Sequence, residues 1–281
     1  MKYLTNPEAS LVTMWVAARH LREFGPNVES DVFTALRPPQ LTRGEGSALR
    51  SSISIACDLG LLVRGAEAIP TLSLGEKLAE DVAWVDTFDA FASVARRLLM
   101  SQASVSPDDR SDVANGVVWL TSRDWRQSHN PLQDDDRPLP GTISTETQVG
   151  AFRRWCIELG MTVPGANATT GSLRPDPTPA LRYETMRLGA NRYNAREFVE
   201  RVGESLVMGP RHPLAGGPKE ANAVSDLMLF SAIGYGLRRL EAEGRIRLVV
   251  SDDASARNRA LLPFPAADGA IVSITHVEVG V

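Results

Sequence analysis

The sequence predicts a mainly α-helical protein with small β-hairpins, an α+β arrangement, on three observations. Apolar residues recur with helical period over most of the 281 residues. Short strand-like apolar runs follow several of those stripes, and Gly or Pro marks most junctions. A third sign is a pattern of apolar helix, glycine and apolar strand that occurs three times.

The first eighty residues read as three helices and a hairpin. Asn6-Pro7 is placed to open the first helix, whose stripe is Leu11, Met14, Trp15, Ala18 and Leu21, ending at Gly25-Pro26. Asn27 or Ser30 is placed to cap a second helix carrying Val32, Phe33 and Leu36, stopped by Pro38-Pro39. Ser47 is placed to cap a third, with Leu49, Ile53, Ala56, Cys57 and Leu59 on one face and Gly60 at its end. Leu61 to Val63 and Ile69 to Leu74 then read as a hairpin. Three helices followed by a hairpin is the winged-helix order, a variant of helix-turn-helix.

The recurring pattern is Ile55 to Leu62, then Phe152 to Met161, then Leu237 to Ile246. After the third copy, Arg247 to Val250, Ala260 to Leu262 and Ile271 to Val279 read as strands, with Ser251 to Arg259 as the polar wing loop. After the middle copy, Pro164 to Pro179 is loop-rich where a wing belongs. Trp84 to Met100, Asp112 to Trp125 and Asn194 to Val207 read as amphipathic helices, and Gln127 to Gly141 as an exposed boundary. The fold expected is therefore tandem winged-helix modules around a helical middle region. Its parts are an N-terminal winged helix (1–80), a helical linker (81–141), a middle region that is helical or a further winged helix (142–220), and a C-terminal winged helix (221–281).

Composition narrows the class. An apolar share of 43% and a charged share of 23% are ordinary for a globular chain. No run approaches the roughly 18 apolar residues of a membrane helix, and the polar start from Met1 to Asn6 has no secretory pattern. Cys57 and Cys156 sit in apolar helical patterns far from each other, so buried, reduced thiols and a cytoplasmic setting are expected. A net charge of −4 argues against coating nucleic acid indiscriminately and leaves room for a local basic patch.

No catalytic set with specific spacing is present, so no enzyme, metal or cofactor is expected. His20, His129, His212 and His276 lack partners at ligand spacing. Asp134-Asp135-Asp136 lacks the glycine and glutamate of a calcium loop. Asp176 and Glu184 resemble the acidic pair of a metal-dependent nuclease, but the lysine expected two residues after Glu184 is absent. Gly234-Tyr235-Gly236 and the Gly-rich stretch from Gly209 to Lys219 lack the remaining residues of a nucleotide loop.

Binding remains. In a winged helix the third helix enters a groove and the wing meets the adjacent backbone. The first module offers Arg50, Ser51 and Ser54 off its apolar face, Arg43 before the helix and Arg64 at the start of the wing. The last module offers Arg238 and Arg239 on the helix, Arg245 and Arg247 on the strand, and Arg257 and Arg259 in the wing. Arg238 and Arg239 can equally pair with Glu241 and Glu243 and merely solvate the helix.

The N-terminal winged-helix pattern, the element Trp155-Cys156-Ile157-Glu158-Leu159-Gly160 and the run Pro175-Asp176-Pro177-Thr178-Pro179-Ala180-Leu181-Arg182, with Asn194 to Gly217 downstream, resemble the DpdG family. That family belongs to bacterial gene clusters that insert 7-deazaguanine into DNA and restrict unmodified phage DNA. The resemblance implies an accessory role in antiviral defence beside helicase- or nuclease-type partners, and it carries over no catalytic residue. The expected function is a non-catalytic DNA-associated subunit that binds DNA, partner subunits or both. The competing expectations are a protein–protein adaptor like the acidic tandem winged-helix subunits of chromosome-organising ATPase complexes, and a transcriptional regulator; a homodimer is among the expected partners.

Overall fold

The computed structural model describes residues 1–37, 46–106, 109–132, 143–163, 172–210, 212–215, 227–250, 260–263 and 271–280. Ten α-helices and three three-stranded sheets lie among them, a mainly helical α+β fold.

Helix α1 (Leu11–Phe24) starts four residues later than Asn6-Pro7 suggests. Ser10 is its cap and accepts from the Thr13 N–H, while the Asn6 carbonyl is used in a turn with Ala9. Where a cap for the next helix was expected, Asn27–Val28 form strand β1, and α2 (Glu29–Leu36) follows directly. Helix α3 (Ser47–Asp58) is entered through Gly46 at φ +73°, so Ser47 is its first residue rather than its cap. Strands β2 (Leu62–Arg64) and β3 (Thr71–Leu74) are antiparallel, and β1 joins the far side of β3 to give the order β1-β3-β2.

The middle is helical: α4 (Glu76–Glu80), a 3₁₀ turn at Val82–Val85, α5 (Phe88–Ser101), α6 (Asp112–Thr121) and α7 (Glu146–Glu158). Trp84 falls in the 3₁₀ turn because Thr87 caps α5, accepting from the Ala90 N–H at 3.2 Å. Helix α6 stops before Trp125, so the stripe expected to reach that residue is shorter. Met1, Tyr3 and Leu4 are tied to the start of α6, where both Asp112 carboxylate oxygens accept main-chain N–H groups of Tyr3 and Leu4 at 2.8 and 2.9 Å.

The remaining elements are α8 (Thr178–Leu188), β4 (Asn191–Asn194), α9 (Ala195–Gly203), β5 (Leu227–Met228), α10 (Ser231–Ala242), β6 (Ile246–Val249), β7 (Ala260–Pro263), β8 (Ile271–Ile274) and β9 (His276–Val279). Asn194 caps α9 as its position suggests, accepting from Glu197 N at 2.8 Å. Strand β6 pairs with β9 rather than with the run that follows it, in the order β4-β9-β6. The intervening β7 and β8 form a hairpin that pairs parallel with β5.

Set side by side, α1-β1-α2-α3-β2-β3 and α8-β4-α9-α10-β6-β9 have one element order and one sheet order, the last strand lying between the other two. The second pass differs by two insertions, one between α9 and α10 that carries β5 and one between β6 and β9 that carries β7 and β8.

The thrice-repeated sequence pattern is one helix-ending device. After α3, Gly60 N donates to Cys57 O and Leu61 N to Ala56 O; Gly160 and Met161 repeat this after α7, and Gly244 and Arg245 after α10, all at 2.8–3.0 Å. These are Schellman ends, and each needs the left-handed φ of +69 to +76° that glycine adopts freely. Strands follow α3 and α10, but between α7 and α8 the described residues show just two isolated bridges, Thr162 to Pro175 and Leu173 to His129.

The buried apolar residues form one cluster from Tyr3 to Val279. Trp155 of α7 is at its centre, stacked on Tyr3 at 6.3 Å, and Phe152 meets Trp119 edge-on at 6.5 Å. Helices α6 and α7 approach so closely that a Cβ on Gly116 would stand 2.3 Å from the Phe152 ring. Alanine gains about 1 kcal/mol of helix propensity over glycine, whereas overpacking costs about 1–3 kcal/mol, so the clash decides the sign. Gly116→Ala is expected to lower the thermal midpoint. Gly150→Ala, at a position on α7 with open space around it, is expected to raise stability by about 0.5–1 kcal/mol; chemical denaturation of both variants checks the pair.

Candidate nucleic-acid interface

The two topologically equivalent helices α3 and α10 present very different surfaces. On α3, the residues opposite Leu49, Ile53 and Ala56 emerge into solvent: Ser47, Arg50, Ser54 and Asp58 are exposed and Ser51 is half-buried. Their spacing of three and four residues places them on one stripe. The Arg50 guanidinium lies over the Phe33 ring of α2 at 6.0 Å, which steadies it without neutralising its charge. Glu8 takes a hydrogen bond from Ser47 Oγ, and Asn6 lies 3.5 Å from Ser51, so residues before α1 edge the stripe. Arg64 on β2 is bonded to Glu29 of α2 at 2.8 Å, and that bond holds its guanidinium above the ordinary range. At the hairpin tip Glu67 is exposed and Ile69 is 64% exposed.

Helix α10 is covered. Ala242, at its last position, is its one exposed residue. Gly236 packs so tightly on α8 that a Cβ there would stand 2.6 Å from Leu181 Cδ1, which accounts for a glycine inside a helical pattern. Tyr235 is stacked by Trp125 at 4.0 Å, and Arg174 lies over the indole at 5.5 Å while bonding the Trp125 carbonyl. Nothing in the helical periodicity marks Trp125 for this contact, which joins residues 110 apart in sequence.

The candidate arginines therefore fall into two groups, one on each unit. In the second unit Arg238 bonds Glu241 at 2.6 Å, Arg239 bonds Asp176 at 2.8 Å, Arg245 is 3.4 Å from Glu243, and Arg247 is 3.9 Å from Glu278. Arg182 also joins Glu243, at 2.7 Å, and that bond, followed by the charges of Arg182, Arg239 and Arg245, holds the carboxyl below its usual range. The expected pairing of Arg238 with Glu241 is present, whereas Arg239 reaches across to Asp176. Arg43, Arg257 and Arg259 lie outside the described residues, as does Asp134-Asp135-Asp136.

The two acids with a nuclease-like spacing have separate structural engagements. Asp176, just before α8, accepts from the Thr178 N–H at 3.1 Å and holds Arg239. Glu184 is fully buried: Ser93 Oγ donates to it at 2.5 Å and Arg96 Nη2 at 2.9 Å, with Arg97 at 3.5 Å and Arg187 at 3.2 Å. Burial pushes this carboxyl up, but the Arg96 charge, the Ser93 and Arg96 hydrogen bonds and the Arg97 charge together outweigh it and hold it below its usual range. Arg96 and Ser93 come from α5, and the sequence carries no local sign that they meet an acid 88 and 91 residues away.

Among the described residues no three of His, Cys, Asp and Glu converge as metal ligands, and no helix is long and apolar enough to cross a membrane. His129 faces the Asp124 carbonyl at 2.9 Å, and His212 bridges Gly203 O and Leu214 N. Both cysteines are free thiols; Cys156 is buried as expected, but Cys57 is half-exposed at the end of α3.

A family model described as DpdG-like matches residues 1–254. The chain belongs to the DpdG-like family. Membership associates it with the gene clusters that place 7-deazaguanine in DNA. No curated protein and no solved structure shows a significant match.

Glu184→Gln leaves Arg96 buried beside a neutral partner and is expected to cost about 3–5 kcal/mol, read by urea denaturation. Because the folded-state pKa of Glu184 is lowered, its contribution is complete above the ordinary glutamate value of about 4.3 and is lost as pH falls through the lowered one. The difference in stability between the natural chain and the variant is therefore expected to shrink on acidification below that range.

Proposed function

We propose that this DpdG-like protein is a non-catalytic, DNA-associated subunit of a 7-deazaguanine modification and antiviral defence system, built from two winged-helix units. The shared order of helices and strands supports reading 11–74 and 178–279 as those units. The first unit touches duplex DNA through α3, and the second serves as a protein-bound scaffold.

The observation that carries this assignment is the difference between α3 and α10. Arg50, Ser51 and Ser54 present donors from an open stripe, the residue types that bind phosphate oxygens and base edges. The corresponding helix of the second unit is occupied by Trp125 and Arg174, and its arginines are engaged with carboxylates. With few free cations, the contact is modest and leans on partner subunits for affinity.

Fluorescence anisotropy with a labelled duplex across a salt series tests the reading. The expected slope of log K against log salt is shallow, about −1 to −3, corresponding to one to three neutralised phosphates. Arg50→Ala is expected to weaken binding roughly tenfold, about 1.4 kcal/mol, and to reduce the slope by about 1. Arg239→Ala is expected to lower thermal stability and leave DNA binding unchanged. A separate Arg257→Ala/Arg259→Ala variant measures the share of those two arginines. Unchanged binding in Arg50→Ala would sink the assignment to α3.

A second reading, a protein–protein adaptor without DNA contact, is favoured by the ion pairing of Arg64, Arg238, Arg239, Arg245 and Arg247. Absence of DNA binding at low salt, with self-association or partner binding persisting at high salt, selects it.

A further inference from the structure

We propose that two adjoining cavities form one acidic-rimmed apolar groove that docks a basic amphipathic segment of a partner protein. The inference stands on its own lining residues and does not depend on DNA contact by α3. The first cavity, about 430 Å³, has Trp84, Val94 and Leu98 as its apolar wall. The second, about 350 Å³, is walled by Val199, Met208, Met228 and Leu229. Glu204, the residue that ends α9, borders both. Each cavity is within the size range of ordinary binding pockets, and methionine walls adapt to varied apolar side chains.

The charge of the rim selects the occupant. Among the described residues four carboxylates border the cavities, Glu80, Asp81, Glu200 and Glu204, against two cations, Lys77 and Arg97. Lys77 is held by Glu80 at 3.1 Å, and Arg97 is divided between Glu204 at 3.2 Å and the buried Glu184 at 3.5 Å. The remaining field is negative, which repels nucleic acid, anionic lipid and acidic peptides and favours a partner with lysines or arginines. An apolar floor with such a rim fits a helix that lays its apolar face in the groove and its cations along the edge.

The test uses the full chain and two labelled peptides of about 15 residues, long enough to be helical when bound. One has leucines on one helical face and lysines on the other, and the second has glutamates in place of the lysines. Fluorescence anisotropy is expected to show saturable binding of the basic peptide and none of the acidic one. Glu200→Lys/Glu204→Lys is expected to weaken the basic peptide at least about tenfold, and Leu98→Ser to weaken it without any change of charge. Glu67→Lys/Glu146→Lys, which adds the same charge at exposed positions outside the groove, is expected to leave binding within about twofold. Thermal melts establish that each variant is folded. Failure of the basic peptide to bind, equal binding of both peptides, or equal weakening by the outside reversal overturns the proposal.

Discussion

Glu184 is a carboxylate with no exposure to water, and it ties α8 of the second half to α5 of the first. Ser93, Arg96 and Arg97 of α5 and Arg187 of α8 converge on its two oxygens, while Arg96 also bonds the Leu159 carbonyl at the end of α7. One buried charge thereby positions α5, α7 and α8 against each other. Desolvating such a pair is costly, and a well-packed apolar substitute is often as stable. What the pair adds is direction: an apolar contact tolerates sliding, whereas fixed donors around one carboxylate admit few arrangements. The expected benefit is therefore a definite angle between the middle helices and the second unit.

The two units are unequal although their topology is the same. The first unit leaves α3 facing outward. In the second, Trp125 and Arg174 lie over α10, and the insertion between β6 and β9 folds back to pair with β5. The outer face of the equivalent helix is thus left open once and covered once. In the second unit α10 is also tied to the start and middle of α8, through Arg239 to Asp176 and Arg182 to Glu243.

Much of the helical content was legible because its causes are local. The glycine ends after α3, α7 and α10 involve carbonyls three to five residues back, so three similar stretches of sequence produce three equal turns. Helix starts were less legible: several polar residues compete within a few positions, and Ser10 and Thr87 were the ones whose side chains reached the first free N–H groups. Strand partners were harder still, since β6 and β9 are separated by another complete hairpin that has an equally apolar pattern.

The candidate site divides in the same way. The sequence alone determined the helix face on which Arg50, Ser51 and Ser54 stand, because helical period and the apolar stripe are set within a dozen residues. It also determined the family, through residue patterns spread over 1–254. Only the tertiary structure decided which cations remain available, because Arg64, Arg239 and Glu184 find partners 35, 63 and 88 residues away. Charge pairing acts over a few ångströms in space, and those distances exist only once the helices have packed.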